Sequence, residues 1–200
     1  MIREIIFDFD GVIIDSFELI RSIWEEQGKG VSIEVFRDHH NGNFFESSGV
    51  IFSEGEAQDF FRKFHKYMEK GQLFPLSGYI KNIAKKHNLH IISSNSEKVI
   101  NKFLKDTELK KYFGEIYGVE TNKSKVNKFN LIFDKFNRKP KECIFITDTL
   151  GDLIEGEKAG VYTVAVCWGF HDKKRLKKGK PNKIVHNFDE LFNLLDKLEN

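Results

Sequence analysis

Three aspartates fall within nine residues in FDFDGVIID, residues 7–15, at the end of an otherwise apolar run. Side chains alternate along a strand, so Asp8 and Asp10 are expected on one side and Phe7 and Phe9 on the other. Gly11 then allows an immediate turn that leaves backbone close to whatever binds there. Carboxylates in an apolar setting are costly unless something pairs with them, and the expected partner is a cation. A second acidic pair, Asp148 and Asp152, lies in TDTLGDL directly after the apolar run ECIFIT. If the two strands are neighbours, up to four carboxylates surround one crevice, an oxygen-rich site suited to a hard divalent ion such as Mg²⁺.

Two further strand ends supply complementary groups. HIISSNS offers the hydroxyl of Ser94 and nearby amides at a helix start, and NKSK offers Lys125 beside the helix-capping candidate Ser124. Spacing alone leaves Ser93 open against Ser94 and Lys123 open against Lys125, because a one-residue slip reverses which side chain faces the crevice. Singly, each fragment has a plainer reading: a chance DxD, a serine cap, a lysine in solvent. Together, acids, a hydroxyl and an ammonium at four strand ends describe phosphoryl transfer. The metal and Lys125 neutralise phosphate oxygens while a carboxylate attacks phosphorus.

The elements that must position these groups alternate along the chain. Runs at 3–9, 89–94, 114–119, 142–147 and 162–166 read as strands with amphipathic helices between them. That pattern predicts an α/β fold with a doubly wound, Rossmann-like parallel sheet, whose ligand crevice lies at the carboxyl ends of the strands. Val99 with Phe103, and Ile100 with Leu104, form one helical stripe after Ser96; Phe129, Ile132, Phe133 and Phe136 form another after Ser124. Residues 16–75 offer helices without a convincing strand. The expected organisation is a core of 1–15 and 76–200 carrying an inserted helical unit, 16–75. Phe60, Phe61, Phe64, Tyr67 and Met68 read as a face packed inside that insert.

Composition narrows the class. The chain of 200 residues has 40% hydrophobic and 31% charged residues and only three prolines, the profile of an ordered globular protein. Its 20 phenylalanines predict an aromatic core. Cys143 and Cys167 lack CxxC spacing and read as reduced thiols in a cytoplasmic setting. The opening MIREIIFDFD shows no signal peptide, and no run approaches a membrane span. A net charge of +2 predicts no polyanionic partner, and the basic run at 172–183 reads as a solvated loop, so nucleic acid is not expected.

Taken together, FDFDGVIIDS, ISSNS, SKVNKFNLIFDKF, ITDTLGDL and EKAGVYTVAVCWGF resemble, in that order, the haloacid dehalogenase superfamily, and within it the small-cap phosphatases of the phosphoglycolate phosphatase type. The motifs span 1–15 and about 76–170; the insert matches only as a generic helical cap. The resemblance implies a nucleophile, Asp8, and a general acid and base, Asp10. It implies Mg²⁺ held by Asp8, the Asp10 carbonyl and Asp148, with Asp152 supporting that shell. Gly11, Val12, Ser94, Asn95 and Lys125 would hold the transferred phosphoryl group of a small phosphorylated metabolite. An aspartate at position 10 favours phosphate-ester chemistry over dehalogenation, because a leaving alkoxide needs a proton. Thr147 departs from the glycine usual before the motif-four aspartate.

Other readings are a sugar-phosphate mutase, a receiver-like binding module and a fold that has lost catalysis. Mutases resembling this family carry a histidine ten residues past the second aspartate, where this chain has Ile20. A receiver places its phosphorylated aspartate mid-chain, not on the first strand. Retention of every acid opposes loss of catalysis. The loop HHNGNFF at 39–45 is the candidate for specificity, with His39, His40 and His171 read as surface residues. Substrate, pathway and oligomeric state are not specified by the residues.

Overall fold

The computed structural model describes residues 2–47, 49, 52–69 and 72–198. Its strands are β1 (Glu4–Phe7), β2 (Asn88–Ile92), β3 (Phe113–Tyr117), β4 (Cys143–Thr147), β5 (Tyr162–Val166) and β6 (Lys183–Val185). They make one six-stranded sheet in the order β3-β2-β1-β4-β5-β6. Every pairing is parallel. The strands that precede the two acidic pairs are neighbours, in a register running from Glu4 opposite Cys143 to Phe7 opposite Ile146.

Alternation along these strands feeds two apolar layers. Ile5, Phe7, Ile144 and Ile146 join the larger core cluster, while Ile6, Cys143 and Phe145 join a second one on the other face. A sheet buried on both faces needs helices on both, and the sequence supplies them. The helices are α1 (Phe17–Glu26), α2 (Ile33–Asp38), α3 (Phe44–Ser47), α4 (Glu54–Tyr67), α5 (Ser77–Ile83), α6 (Glu97–Asp106), α7 (Lys125–Phe136), α8 (Leu150–Ala159), α9 (Lys173–Leu176) and α10 (Phe188–Lys197). α6 buries Val99, Ile100, Phe103 and Leu104, the stripe its spacing predicts. α7 starts after Ser124, whose hydroxyl accepts from the Asn127 amide at 3.5 Å, and buries Phe129 and Ile132. Ser96 occupies the expected cap position of α6, but its hydroxyl donates to Glu120 at 2.5 Å instead of capping the helix.

Three differences from the sequence expectations have physical causes. β1 ends at Phe7, so Asp8 and Asp10 stand in the turn beyond the strand, where the Ile13 and Ile14 amides donate to the Phe9 carbonyl. β6 is only KIV, too short to stand out beside Lys and Pro. The α4 face is split: Phe64 is buried, Phe60 and Phe61 are half-buried and line a cavity, and Tyr67 is exposed.

Residues 16–75 hold α1–α4 and, among the described residues, no strand beyond an isolated bridge. The chain leaves the sheet and returns to it at one place. Ile14 and Leu73 form an antiparallel bridge, the Asp15 amide donates to the Gln72 carbonyl at 2.7 Å, and the Phe74 amide donates to the Ile13 carbonyl at 3.0 Å.

Candidate active site

Lys125, in the first turn of α7, is 2% exposed and projects between two carboxylates. Its ammonium lies 3.0 Å from Asp8 Oδ1 and 2.5 Å from Asp152 Oδ2. Its own amide donates to Glu155 Oε1 at 2.7 Å, so α8 fixes where α7 begins. Thr147 donates its hydroxyl to Asp152 Oδ2 at 2.8 Å, which gives the threonine that departs from the resemblance a defined task. Lys123 is exposed, with its ammonium 5.6 Å over the Phe45 ring, so the two lysines left open by sequence occupy different settings. Burial and the neighbouring carboxylates push Lys125 in opposite directions, and Asp152 and Asp8 win, holding it above the ordinary lysine value.

Asp10 is held by two donors. The Ser16 hydroxyl donates to its Oδ1 at 2.7 Å and the Asn95 amide to its Oδ2 at 3.0 Å. Burial nonetheless raises Asp10 above its usual value. The Asn95 Oδ1 accepts from the Ser96 amide at 2.8 Å, so this side chain braces Asp10. Ser93 is buried, accepting from the Asn95 amide at 3.1 Å, while Ser94 is half-buried; both reach the cavity wall. Lys128, fully buried, donates to the Ser93 carbonyl at 2.5 Å, and burial together with Lys125 lowers it to about 8.

These groups face a cavity of about 430 Å³ whose wall includes Asp8, Asp10, Asp152, Ser94, Asn95 and Lys125. Asp148 stands just behind that wall, close enough for its charge to act on Asp8. It is fully buried, with Oδ2 accepting from the Phe170 amide at 2.6 Å. It is also closely overlaid by backbone: a Cβ on Gly11 would sit 2.0 Å from Asp148 Oδ2, and one on Gly169 2.2 Å from it. Gly11 and Val12 are likewise absent from the described wall. The Gly11 amide donates to the Ile14 carbonyl at 2.8 Å, because the tight turn uses it internally.

The donor set fits a divalent cation in chemistry. Burial pushes Asp148 up to about 8 and raises Asp8 well above its usual value, in spite of Lys125. Burial acts on Asp152 in the same sense, but the charge and hydrogen bond of Lys125 hold it below the ordinary range. One ammonium thus serves Asp152 best, and Asp148 Oδ1 is buried with no hydrogen-bond partner. Hard oxygen donors with uncompensated charge are what Mg²⁺ takes up. Among the described residues no three His, Cys, Asp or Glu side chains converge as a ready-made set, so a bound ion would also need a carbonyl or water oxygens.

Several contributors were not visible in the sequence. His171, read as a surface residue, is 1% exposed. Its Nδ1 accepts from the Leu150 amide and its Nε2–H donates to the Arg37 carbonyl, both at 2.9 Å, and burial lowers it to about 4. His40, also read as exposed, is half-buried on the cavity wall, donates from Nδ1 to the Phe36 carbonyl at 2.9 Å, and is lowered by burial to about 4. Arg175, from the basic run, is no solvated side chain: it bonds Glu34 at 2.9 Å, Asn41 at 3.0 Å, and Asp38, tying α9 to α2. Only Ser16 had a sequence signal, its place directly after the acidic turn.

The family model described as haloacid dehalogenase-like hydrolase matches residues 5–166. The chain belongs to that family. This haloacid dehalogenase-like hydrolase is 23% identical to pyrophosphatase PpaX of Oceanobacillus iheyensis, with 97% of each chain covered. It is 24% identical to phosphoglycolate phosphatase of Synechococcus elongatus, with 98% of each covered. A solved structure of a predicted phosphatase from Clostridium acetobutylicum covers 100% of both chains with a TM-score of 0.77 at 20% identity, a likeness of fold. The reading of the sequence as an α/β member of this family is therefore borne out. Among the described residues no helix is long and apolar enough to cross a membrane.

Proposed function

We propose that this hydrolase is a Mg²⁺-dependent phosphatase of a small phosphorylated metabolite, working through a phospho-Asp8 intermediate. The observation that carries the reading is the Lys125 ammonium lodged between Asp8 and Asp152 on the same cavity wall as Asp10. In the first step an Asp8 oxygen attacks phosphorus and the P–O bond to the leaving group breaks. Asp10, held by Ser16 and Asn95 and raised by burial, gives its proton to the departing alkoxide. In the second step Asp10 takes a proton from the water that attacks phospho-Asp8, releasing phosphate. Ser94 and Lys125 hold the phosphoryl oxygens throughout.

Mg²⁺, when bound, supplies positive charge to the phosphate oxygens and to Asp8. Asp8, the Asp10 carbonyl and Asp148 would hold it, with Asp152 in support; the orphaned oxygen of Asp148 favours that assignment. Residues 16–75 act as a cap over the core of 1–15 and 76–200, and the loop 39–45, which places His40, Gly42, Phe44 and Phe45 on the wall, reads the substrate. The names of the two relatives, a phosphoglycolate phosphatase and a pyrophosphatase, support phosphate hydrolysis. Free Cys143 and Cys167 suit a cytoplasmic setting.

Turnover of a generic aryl phosphate with Mg²⁺ and with EDTA, using Asp8→Asn as the control, tests the mechanism. Activity that needs the metal and vanishes in Asp8→Asn is expected. Metal-independent turnover, or an undiminished variant, overturns it.

A further inference from the structure

We propose that the preferred substrate is a phosphate monoester whose leaving group carries an uncharged, apolar ring, an inference that rests on the phosphatase reading above. The cavity has two unlike ends. One holds Asp8, Asp10, Ser94 and Lys125; the other is walled by Trp24, Phe44, Phe45, Phe52, Phe60 and Phe61. The aromatic wall is continuous. Trp24 lies 6.0 Å from Phe44 and 5.9 Å from Phe52 between ring centroids, Phe44 lies 5.5 Å from Phe45, and Phe60 lies 5.4 Å from Phe61. Such walls receive rings edge-on or offset, and the cavity volume of 430 Å³ far exceeds what a two-carbon acid fills.

The wall also offers little to a leaving group that carries a second anionic group. Among the described residues of 16–75 that line the cavity, the polar groups are the His40 imidazole, whose Nδ1–H is already donated to the Phe36 carbonyl, and the Trp24 indole N–H; neither carries a formal positive charge in that arrangement. The carboxylate of phosphoglycolate, or the second phosphate of pyrophosphate, would lose much of its hydration against aromatic carbon, with one exposed ammonium, Lys123, at the edge of that wall. Lys123 also lines the cavity: its ammonium rests 5.6 Å over the Phe45 ring, its carbonyl accepts from Asn43 of the 39–45 loop, and the exposed side chain keeps its own water. An apolar ring gains from the same surroundings by leaving water. The reaction balances as hydrolysis: the phosphorus–oxygen bond breaks, water supplies the new oxygen on phosphate, and the ring-bearing alcohol leaves with a proton.

The test compares kcat/KM of the full chain with Mg²⁺ for 2-phenylethyl phosphate, ethyl phosphate, phosphoglycolate and pyrophosphate. The two alkyl esters release alcohols of similar acidity, so their ratio reports the ring alone. A preference of about a hundredfold for the phenylethyl ester over ethyl phosphate is expected, with both competitors that carry a second anionic group below it. Phe45→Ala and Phe61→Ala each lower the phenylethyl-to-ethyl ratio about tenfold, a ratio that loss of folded protein cannot change. A ratio near one, or phosphoglycolate or pyrophosphate as the best substrate, overturns this inference and leaves the phosphatase reading standing. No turnover of any of the four overturns this inference, while turnover of the aryl phosphate with Mg²⁺ decides the phosphatase reading separately.

Discussion

Lys125 and Asp8 form an ion pair of 3.0 Å that solvent barely reaches. The same ammonium bonds Asp152, so a single positive charge is shared between a carboxylate just past β1 and one in the first turn of α8. Lys125→Met leaves both facing each other in a buried setting. The variant is expected to lose about 3 kcal/mol of stability in EDTA, read by denaturant titration, because breaking a buried pair strands its partner. Its kcat/KM with Mg²⁺ should fall about a hundredfold or more. Unchanged stability in EDTA would contradict the shared charge.

Ser16 donates to Asp10 at 2.7 Å from the first residue past the acidic turn. Removing it in Ser16→Ala leaves Asp10 with Asn95 as its remaining side-chain donor shown here. A lost hydrogen bond to a charged group is worth about 1.5–3 kcal/mol, so kcat should drop roughly tenfold to a hundredfold with KM little altered. A change confined to KM would show that Ser16 serves binding instead of orienting Asp10.

Gly169 gives a test of the Asp148 setting. A methyl group there would lie 2.2 Å from Asp148 Oδ2 and 2.5 Å from the Gly11 carbonyl, so Gly169→Ala must displace one of them. Mg²⁺-dependent activity is expected to fall about a hundredfold, with a weaker Mg²⁺ midpoint in a metal titration. An unchanged midpoint would separate Asp148 from the metal.

At the opposite end of β1, Glu4 is fully buried and accepts from His90 Nε2 at 2.8 Å, Arg138 Nε at 2.7 Å and Asn88 at 3.1 Å. The His90 Nδ1 accepts from the Glu115 amide at 3.1 Å, which leaves Nε2 to donate to Glu4. Burial alone would raise Glu4, but these donors hold it below its ordinary value of 4.5. A carboxyl depressed in the folded state stabilises the protein above its unfolded value and loses that contribution as pH falls through the folded one. Glu4→Gln should therefore cost about 2 kcal/mol at neutral pH, with the gap to the parent closing below pH 4.5. Urea titrations between neutral and acid pH measure it; a gap constant across that range would refute the assignment.

The strands themselves and the acids at their ends were legible because β1, β2, β4 and β5 are dense in aliphatic residues and the acids sit where such runs stop, whereas the strand order, and with it the adjacency of β1 and β4, came only from the fold. Lys125 could be named but not separated from Lys123, since that choice depends on which turn of α7 packs against α8. The histidines were misread for another reason. His171 is buried by meeting the Arg37 carbonyl, 134 residues away in the chain, and no local pattern encodes such a meeting. The displacement of Asp148 behind Gly11 likewise follows from the Phe170 amide, supplied by a loop that sequence reasoning left without a role.

The pairing of Ile14 with Leu73 has a consequence for how such a molecule can diversify. Because departure and return share one doorway, the two chain ends that feed the sheet stay side by side whatever length of chain is threaded between them. Ser16 rides just inside that doorway while its partner Asp10 stays outside. A transplant that keeps this one serine would carry a new appetite onto an old reaction centre.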